Sequence, residues 1–163
     1  MSRSAPLDAA TLARLIERAS ETRENAYAPY SKYRVGAALL TASGAVFTGC
    51  NFENASYPAG ICAERGAVAQ MIAAGEREPI ACVIVTAGDE PAAPCGICRQ
   101  VLVEFARDLR VVLVGLREGK DPVFRHHALA ALLPEAFELL PRSETKRAAP
   151  GALKSKKKKK QGK

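Results

Sequence analysis

The sequence predicts an α/β fold built on a mixed five-stranded sheet whose last two strands run antiparallel. Three observations carry this. Segments with helical spacing of apolar residues alternate with five strand-like runs: Tyr33 to Thr41, Ala45 to Phe52, Ile80 to Thr86, Arg110 to Gly115 and Pro122 to Arg125. The third run is continuously apolar up to Thr86, as expected of a strand covered on both faces. Only Leu116 to Asp121 separates the last two runs, and adjacent parallel strands need a crossover of about a dozen residues, so these two form an antiparallel hairpin if they pair.

At 163 residues and 48% apolar, the chain suits one domain with a real core. There is no apolar stretch of about 18 residues, and Met1 to Pro6 has no apolar signal-like segment. The expectation is a cytoplasmic protein with no membrane partner. From Arg142 onward ten Lys and Arg face Glu144 alone, a segment charge of +9 that sets the remainder at −2 against a total of +7. The basic character thus belongs to a tail, and the body is not built to hold a polyanion. Residues 1–141 are read as the catalytic domain and 142–163 as a disordered lysine-rich tail, able at most to touch polyanions without specificity.

The elements follow in order. Leu12, Leu15, Ile16 and Ala19 form an apolar stripe on a helix within Leu7 to Asn25, with Asp8 placed as its N-cap. Tyr27-Ala28-Pro29-Tyr30-Ser31 breaks that helix. Ala42-Ser43-Gly44 joins the first two strands as a hairpin. The loop from Asn51 to Gly60 is rich in polar groups: with period two, Asn51 and Glu53 point the same way and either bracket a ligand group or belong to an Asx-rich turn. Cys62 to Ala74 reads as a buried helix closed by Gly75 at C′. After the Ile80 strand and the loop from Gly88 to Pro94, a second helix carries Cys95 and Cys98 in its first turn. Ala128 to Leu133 is a short helix stopped by Pro134.

Five cysteines, an odd count with two in Cys-x-x-Cys spacing and no sign of secretion, argue against a disulfide framework. Cys50 and Cys82 lie in strand-like runs and read as small hydrophobes. Cys62, Cys95 and Cys98 supply three thiolates for a tetrahedral Zn²⁺, which leaves a fourth position open to water, the mark of catalytic zinc. Glu64, two residues from a ligand, is the candidate proton carrier. A structural zinc module wants a fourth Cys or His near Cys62, and His126 and His127 read as ordinary exposed histidines far along the chain. A redox dithiol would not need Glu64.

Cys62-Ala63-Glu64-Arg65 with Pro94-Cys95-Gly96-Ile97-Cys98-Arg99-Gln100, preceded by Gly49-Cys50-Asn51-Phe52-Glu53-Asn54-Ala55-Ser56-Tyr57-Pro58, resembles the homotetrameric zinc-dependent cytidine deaminases. The likeness extends to Tyr30 to Leu39 and to Leu132 to Phe137. It implies a three-layer α-β-α sandwich and hydrolytic deamination of free cytidine and 2′-deoxycytidine in pyrimidine salvage. Zinc hydroxide would attack C4 of the base while Glu64 shuttles protons, as in zinc deaminases generally. By the same resemblance Asn51 and Glu53 match the ribose-binding pair, Ala63 contacts the base through its backbone, and Tyr33 stacks near the base where the family usually has Phe. Ala55 and Tyr57 match residues that reach a neighbouring subunit's site, Phe137 matches an aromatic that closes a pocket, and Arg65 matches an arginine that hydrogen-bonds the ligand thiolates and tunes the zinc. The chain departs from the family pattern at Arg34, where Pro is frequent, and at Glu138-Leu139, where Gly-Pro is usual. A polynucleotide deaminase, suggested by the lysine tail, would need a parallel final strand with an intervening helix and a basic groove with stacking aromatics. A deaminase of a modified nucleoside antibiotic shares the zinc motif.

Overall fold

A computed structural model describes residues 7–139; the boundary expected at 141 and the lysine-rich tail lie outside them. The first helix, α1, spans Ala9–Glu24 and starts as its sequence dictates: Asp8 accepts a 2.8 Å bond from the Thr11 amide at Oδ1 and a 2.7 Å bond from the Thr11 hydroxyl at Oδ2. Its stripe buries Leu15 and Ala19 completely.

Five strands follow: β1 (Gly36–Thr41), β2 (Val46–Cys50), β3 (Pro79–Ala87), β4 (Arg110–Arg117) and β5 (Lys120–Ala128). Their order in the single sheet is β2-β1-β3-β4-β5. Only β3 and β4 are parallel; β1 runs antiparallel to both β2 and β3, and β5 antiparallel to β4. Three further α-helices lie among the described residues: α2 (Ala63–Ala73), α3 (Gly96–Phe105) and the one-turn α4 (Leu129–Leu132). Gly75 closes α2 with a φ of 85°, as expected of its place beyond the helix end.

Period two divides the central strands between two cores. Leu39, Cys82, Ile84, Val111 and Leu113 pack with Val68 and Met71 of α2, Leu102 of α3 and Leu129 of α4. Ala38, Leu40, Val83, Val85, Val112 and Val114 pack with Leu15 and Ala19 of α1 on the opposite face. The sheet is therefore the middle of three layers, and the unbroken apolar run in β3 reflects burial on both sides.

Two expected strands are corrected at their ends. The first begins at Gly36 rather than Tyr33, because the Asn51 side chain takes the place of a ladder partner: its Oδ1 accepts from the Val35 amide at 2.8 Å and its Nδ2 donates to the Tyr33 carbonyl at 2.9 Å. The last runs Lys120–Ala128 rather than Pro122 to Arg125, and the link to β4 shrinks to Glu118 and Gly119. Pro122 is tolerated because β5 is an edge strand and the register shifts between Gly115 and Arg117, opposite the proline. His126 and His127 accordingly lie within β5, the first exposed and the second half-buried.

One close approach sets the position of α2. A Cβ on Gly49 of β2 would stand 2.3 Å from the Ala63 carbonyl oxygen and 2.4 Å from the Ala67 amide nitrogen. Only glycine lets the helix backbone lie this near the strand. That contact holds the start of α2 against the sheet.

Candidate active site

Cys62 is the N-cap of α2 and Cys95 the N-cap of α3, with Cys98 buried in the first turn of α3. Both helices thus point their positive ends and unpaired amides at a thiolate group. The three sulfurs lie within 4.8 Å of one another, the one metal-suited group of this kind found among the described residues. A tetrahedral zinc with Zn–S bonds of about 2.3 Å sets its sulfur ligands roughly 3.8 Å apart. Cys62 Sγ and Cys95 Sγ stand 3.8 Å apart, so the donors fit that ion.

Charge in the cluster is shared unequally. The hydrogen bond from Cys98, followed by the Arg65 guanidinium and Cys95, pulls the Cys62 thiol down to about 5. Cys98 is pushed the other way, first by its bond to Cys62 and then by burial. One negative charge settles on Cys62, and a second beside it is opposed until a cation arrives. Arg65 is the resident counter-charge: its Nη2 donates to the Gly60 carbonyl at 3.2 Å, and its buried Nε has no hydrogen-bond partner among the described residues. A guanidinium nitrogen in that position is compensated by neighbouring negative sulfur.

Glu64 sits in the first turn of α2 with 4% of its surface exposed. Burial, then the Cys62 charge, raises its carboxyl above the ordinary range. That shift suits a group that must both take and give a proton near neutral pH. Cys82 is wholly buried behind it, and burial raises its thiol, consistent with an inert core side chain; Cys50 is only partly buried.

A cavity of about 510 Å³ opens over Cys62 and Arg65. Its walls bring Asn51, Glu53 and Tyr57 together with those two residues, joined by Tyr30, Ser31, Phe52, Asn54, Gly60 and Ile61. Asn51 and Glu53 both turn toward the 30–35 segment: Asn51 bonds Val35 and Tyr33, and Glu53 Oε2 accepts from the amides of Tyr30 at 2.9 Å and Ser31 at 3.1 Å. The other expected residues are not part of this cavity's lining. Ala63 and Glu64 are buried at the start of α2, Tyr33 and Ala55 are exposed, and Phe137 is 69% exposed with its carbonyl accepting from Gln100 Nε2 at 2.8 Å. Tyr30 and Ser31 are wall residues to which the sequence assigned no site role, only a helix break and a place in the stretch of family likeness. The available signal was a Pro-Tyr-Ser run ahead of a strand, which specifies a turn but not what the turn faces.

Residues 10–115 match the family model for the cytidine and deoxycytidylate deaminase zinc-binding region. The chain belongs to the cytidine deaminase family. A cytidine deaminase from Halalkalibacterium halodurans is 42% identical over 76% of this chain and 91% of its own length, and one from Sporosarcina psychrophila 41% identical over 76% and 89%. Among solved structures, a cytidine deaminase from Burkholderia pseudomallei superposes with a TM-score of 0.70 at 48% identity, covering 77% of this chain and 98% of that one. The cytidine deaminase from Mycobacterium tuberculosis gives 0.68 at 37% identity, covering 82% and 100%. The family match accords with a zinc site, and the α-β-α layering with these relatives' fold. No helix among the described residues is long and apolar enough to cross a membrane.

Proposed function

We propose that this chain catalyses the zinc-dependent hydrolytic deamination of free cytidine and 2′-deoxycytidine to uridine and 2′-deoxyuridine, serving pyrimidine salvage in the cytoplasm. The observation that carries the proposal is a triangle of thiols sized for zinc, with a buried carboxyl of raised pKa two residues from one of them and a cavity that opens over Cys62.

Cys62, Cys95 and Cys98 hold the metal, which when bound supplies an activated water for attack at C4 of the base. Glu64 carries protons to the ring nitrogen N3 and then to the leaving amine, and its burial keeps the proton from exchanging freely with solvent. Arg65 offsets the charge that three thiolates place on the metal. Asn51 and Glu53 hold sugar hydroxyls, the Ala63 backbone meets the base, and Tyr33 stacks beside it. A homotetramer would bring Ala55 and Tyr57 to a neighbouring subunit's site, with Phe137 closing a pocket; the 81% exposure of Tyr57 supports a role beyond its own chain. The body is one domain over 1–141, with 142–163 an appendage. The antiparallel β4–β5 hairpin favours a nucleoside substrate over a polynucleotide.

Purified protein should contain zinc and remove the cytosine absorbance band of cytidine and 2′-deoxycytidine, while dCMP, a nucleoside antibiotic and single-stranded DNA release little ammonia. Glu64→Ala should keep the metal and lose at least about 10²-fold in turnover. A variant that retains full activity would remove Glu64 from the mechanism.

A further inference from the structure

We propose that Ser31, at the tip of the turn between α1 and β1, is a positioning residue that holds the Glu53 carboxylate in its ligand-binding orientation. This rests on the assignment of Glu53 to a sugar hydroxyl. Three donors from the turn converge on that carboxylate. The Tyr30 and Ser31 amides reach Oε2 at 2.9 and 3.1 Å, and the Ser31 hydroxyl donates to Oε1.

The hydroxyl is itself oriented. Its oxygen accepts from the Tyr33 amide at 3.0 Å, which leaves its single proton for Glu53. The turn is closed by a 3.1 Å bond from the Lys32 amide to the Ala28 carbonyl, and Lys32 adopts φ 59°, the one positive φ among the described non-glycine residues. A left-handed lysine is a local cost, and across it the Tyr33 amide returns to the Ser31 hydroxyl that grips Glu53. The same chain segments are stitched by backbone bonds, Tyr27 N to Asn51 O at 3.0 Å and Glu53 N to Tyr27 O at 2.8 Å.

A carboxylate offers about four acceptor directions, and three are already taken, so room remains for one further donor. Both Ser31 and Glu53 line the cavity over Cys62. The Ser31 hydroxyl is also the main cause that holds the Glu53 carboxyl below its ordinary range, so the carboxylate is ionised and ready to accept. Ser31 acts on the substrate through Glu53.

The test compares 2′-deoxycytidine with 2′,3′-dideoxycytidine, which has no ring hydroxyl for Glu53 to receive, using the zinc-loaded full chain. The ratio of their kcat/KM values should fall roughly tenfold in Ser31→Ala and in Ser31→Gly, mainly through KM of the deoxynucleoside, while the dideoxynucleoside is processed as before. Ser31→Thr, which keeps the hydroxyl, should retain the ratio, and Glu53→Gln should collapse it. Equal losses on both substrates in the Ser31 variants would reduce the residue to a structural one and overturn the proposal. An unchanged ratio in the Ser31 variants beside a collapsed one in Glu53→Gln overturns Ser31 alone. A ratio unchanged in Glu53→Gln overturns the sugar assignment, and the Ser31 proposal with it.

Discussion

Gly49→Ala tests how the fold sets the site. The new Cβ would lie 2.3 Å from the Ala63 carbonyl oxygen, 2.4 Å from the Ala67 nitrogen and 2.8 Å from the Gly66 carbonyl carbon, all backbone atoms that no rotamer change can move. Relief to an ordinary contact of 3.4 Å needs α2 to retreat by about 1 Å. Overpacking of this kind costs about 2 kcal/mol, which for a chain of this size is a fall in Tm of roughly 6–8 °C. The retreating segment begins one residue after Cys62 and contains Glu64, so the geometry between the thiols and Glu64, the proposed proton carrier, is disturbed. A displacement of about 1 Å at a catalytic group lowers rate by about 10²-fold. Thermal denaturation, zinc affinity and kcat/KM should all decline in the same variant. Wild-type values for stability and turnover would refute the claim that the β2–α2 approach places the site.

Leu102→Ala, at a fully buried position between α3 and the sheet, should destabilise by about 2–5 kcal/mol in denaturant melts, since the rigid strands around it cannot collapse into the void. Removal of zinc with a chelator should lower Tm and abolish turnover, both restored by added Zn²⁺, because an ion bound only by the folded state stabilises it by mass action. An unchanged Tm would argue against a metal on Cys62, Cys95 and Cys98. Asp8→Asn should reduce the acid sensitivity of folding: the Thr11 amide and hydroxyl lower the Asp8 carboxyl below 3.8, so its contribution is present above that pH and lost as pH falls through the lowered folded value. Melts at pH 7 and pH 3 should therefore differ less in the variant than in the parent.

Much of the architecture was legible in the sequence because its signals are local. Leu12, Leu15, Ile16 and Ala19 define a helix face, Asp8 its start, Gly75 the end of α2, and the unbroken Ile80 run a doubly covered strand. Residue chemistry likewise nominated three thiols and one carboxylate before any contact was known. Strand ends were less legible, since at Tyr33 and Pro122 a side-chain amide and an edge position override the propensity of the run.

What only the tertiary structure decided is which distant groups meet. Cys62 and Cys95 are 33 residues apart in sequence and 3.8 Å apart in space because two helix starts converge at one end of the sheet, and the approach at Gly49 places the first of them. Burial of Glu64, the main cause of its raised pKa, comes from that packing, and the charge on Cys62 adds to it. Ser31 gave no periodic or compositional signal, because its meaning lies in a carboxylate 22 residues away. Periodicity reports which face of an element is covered; only the packed arrangement reports what covers it, and there the thiols, Glu64 and the Ser31–Glu53 pair acquire their chemistry.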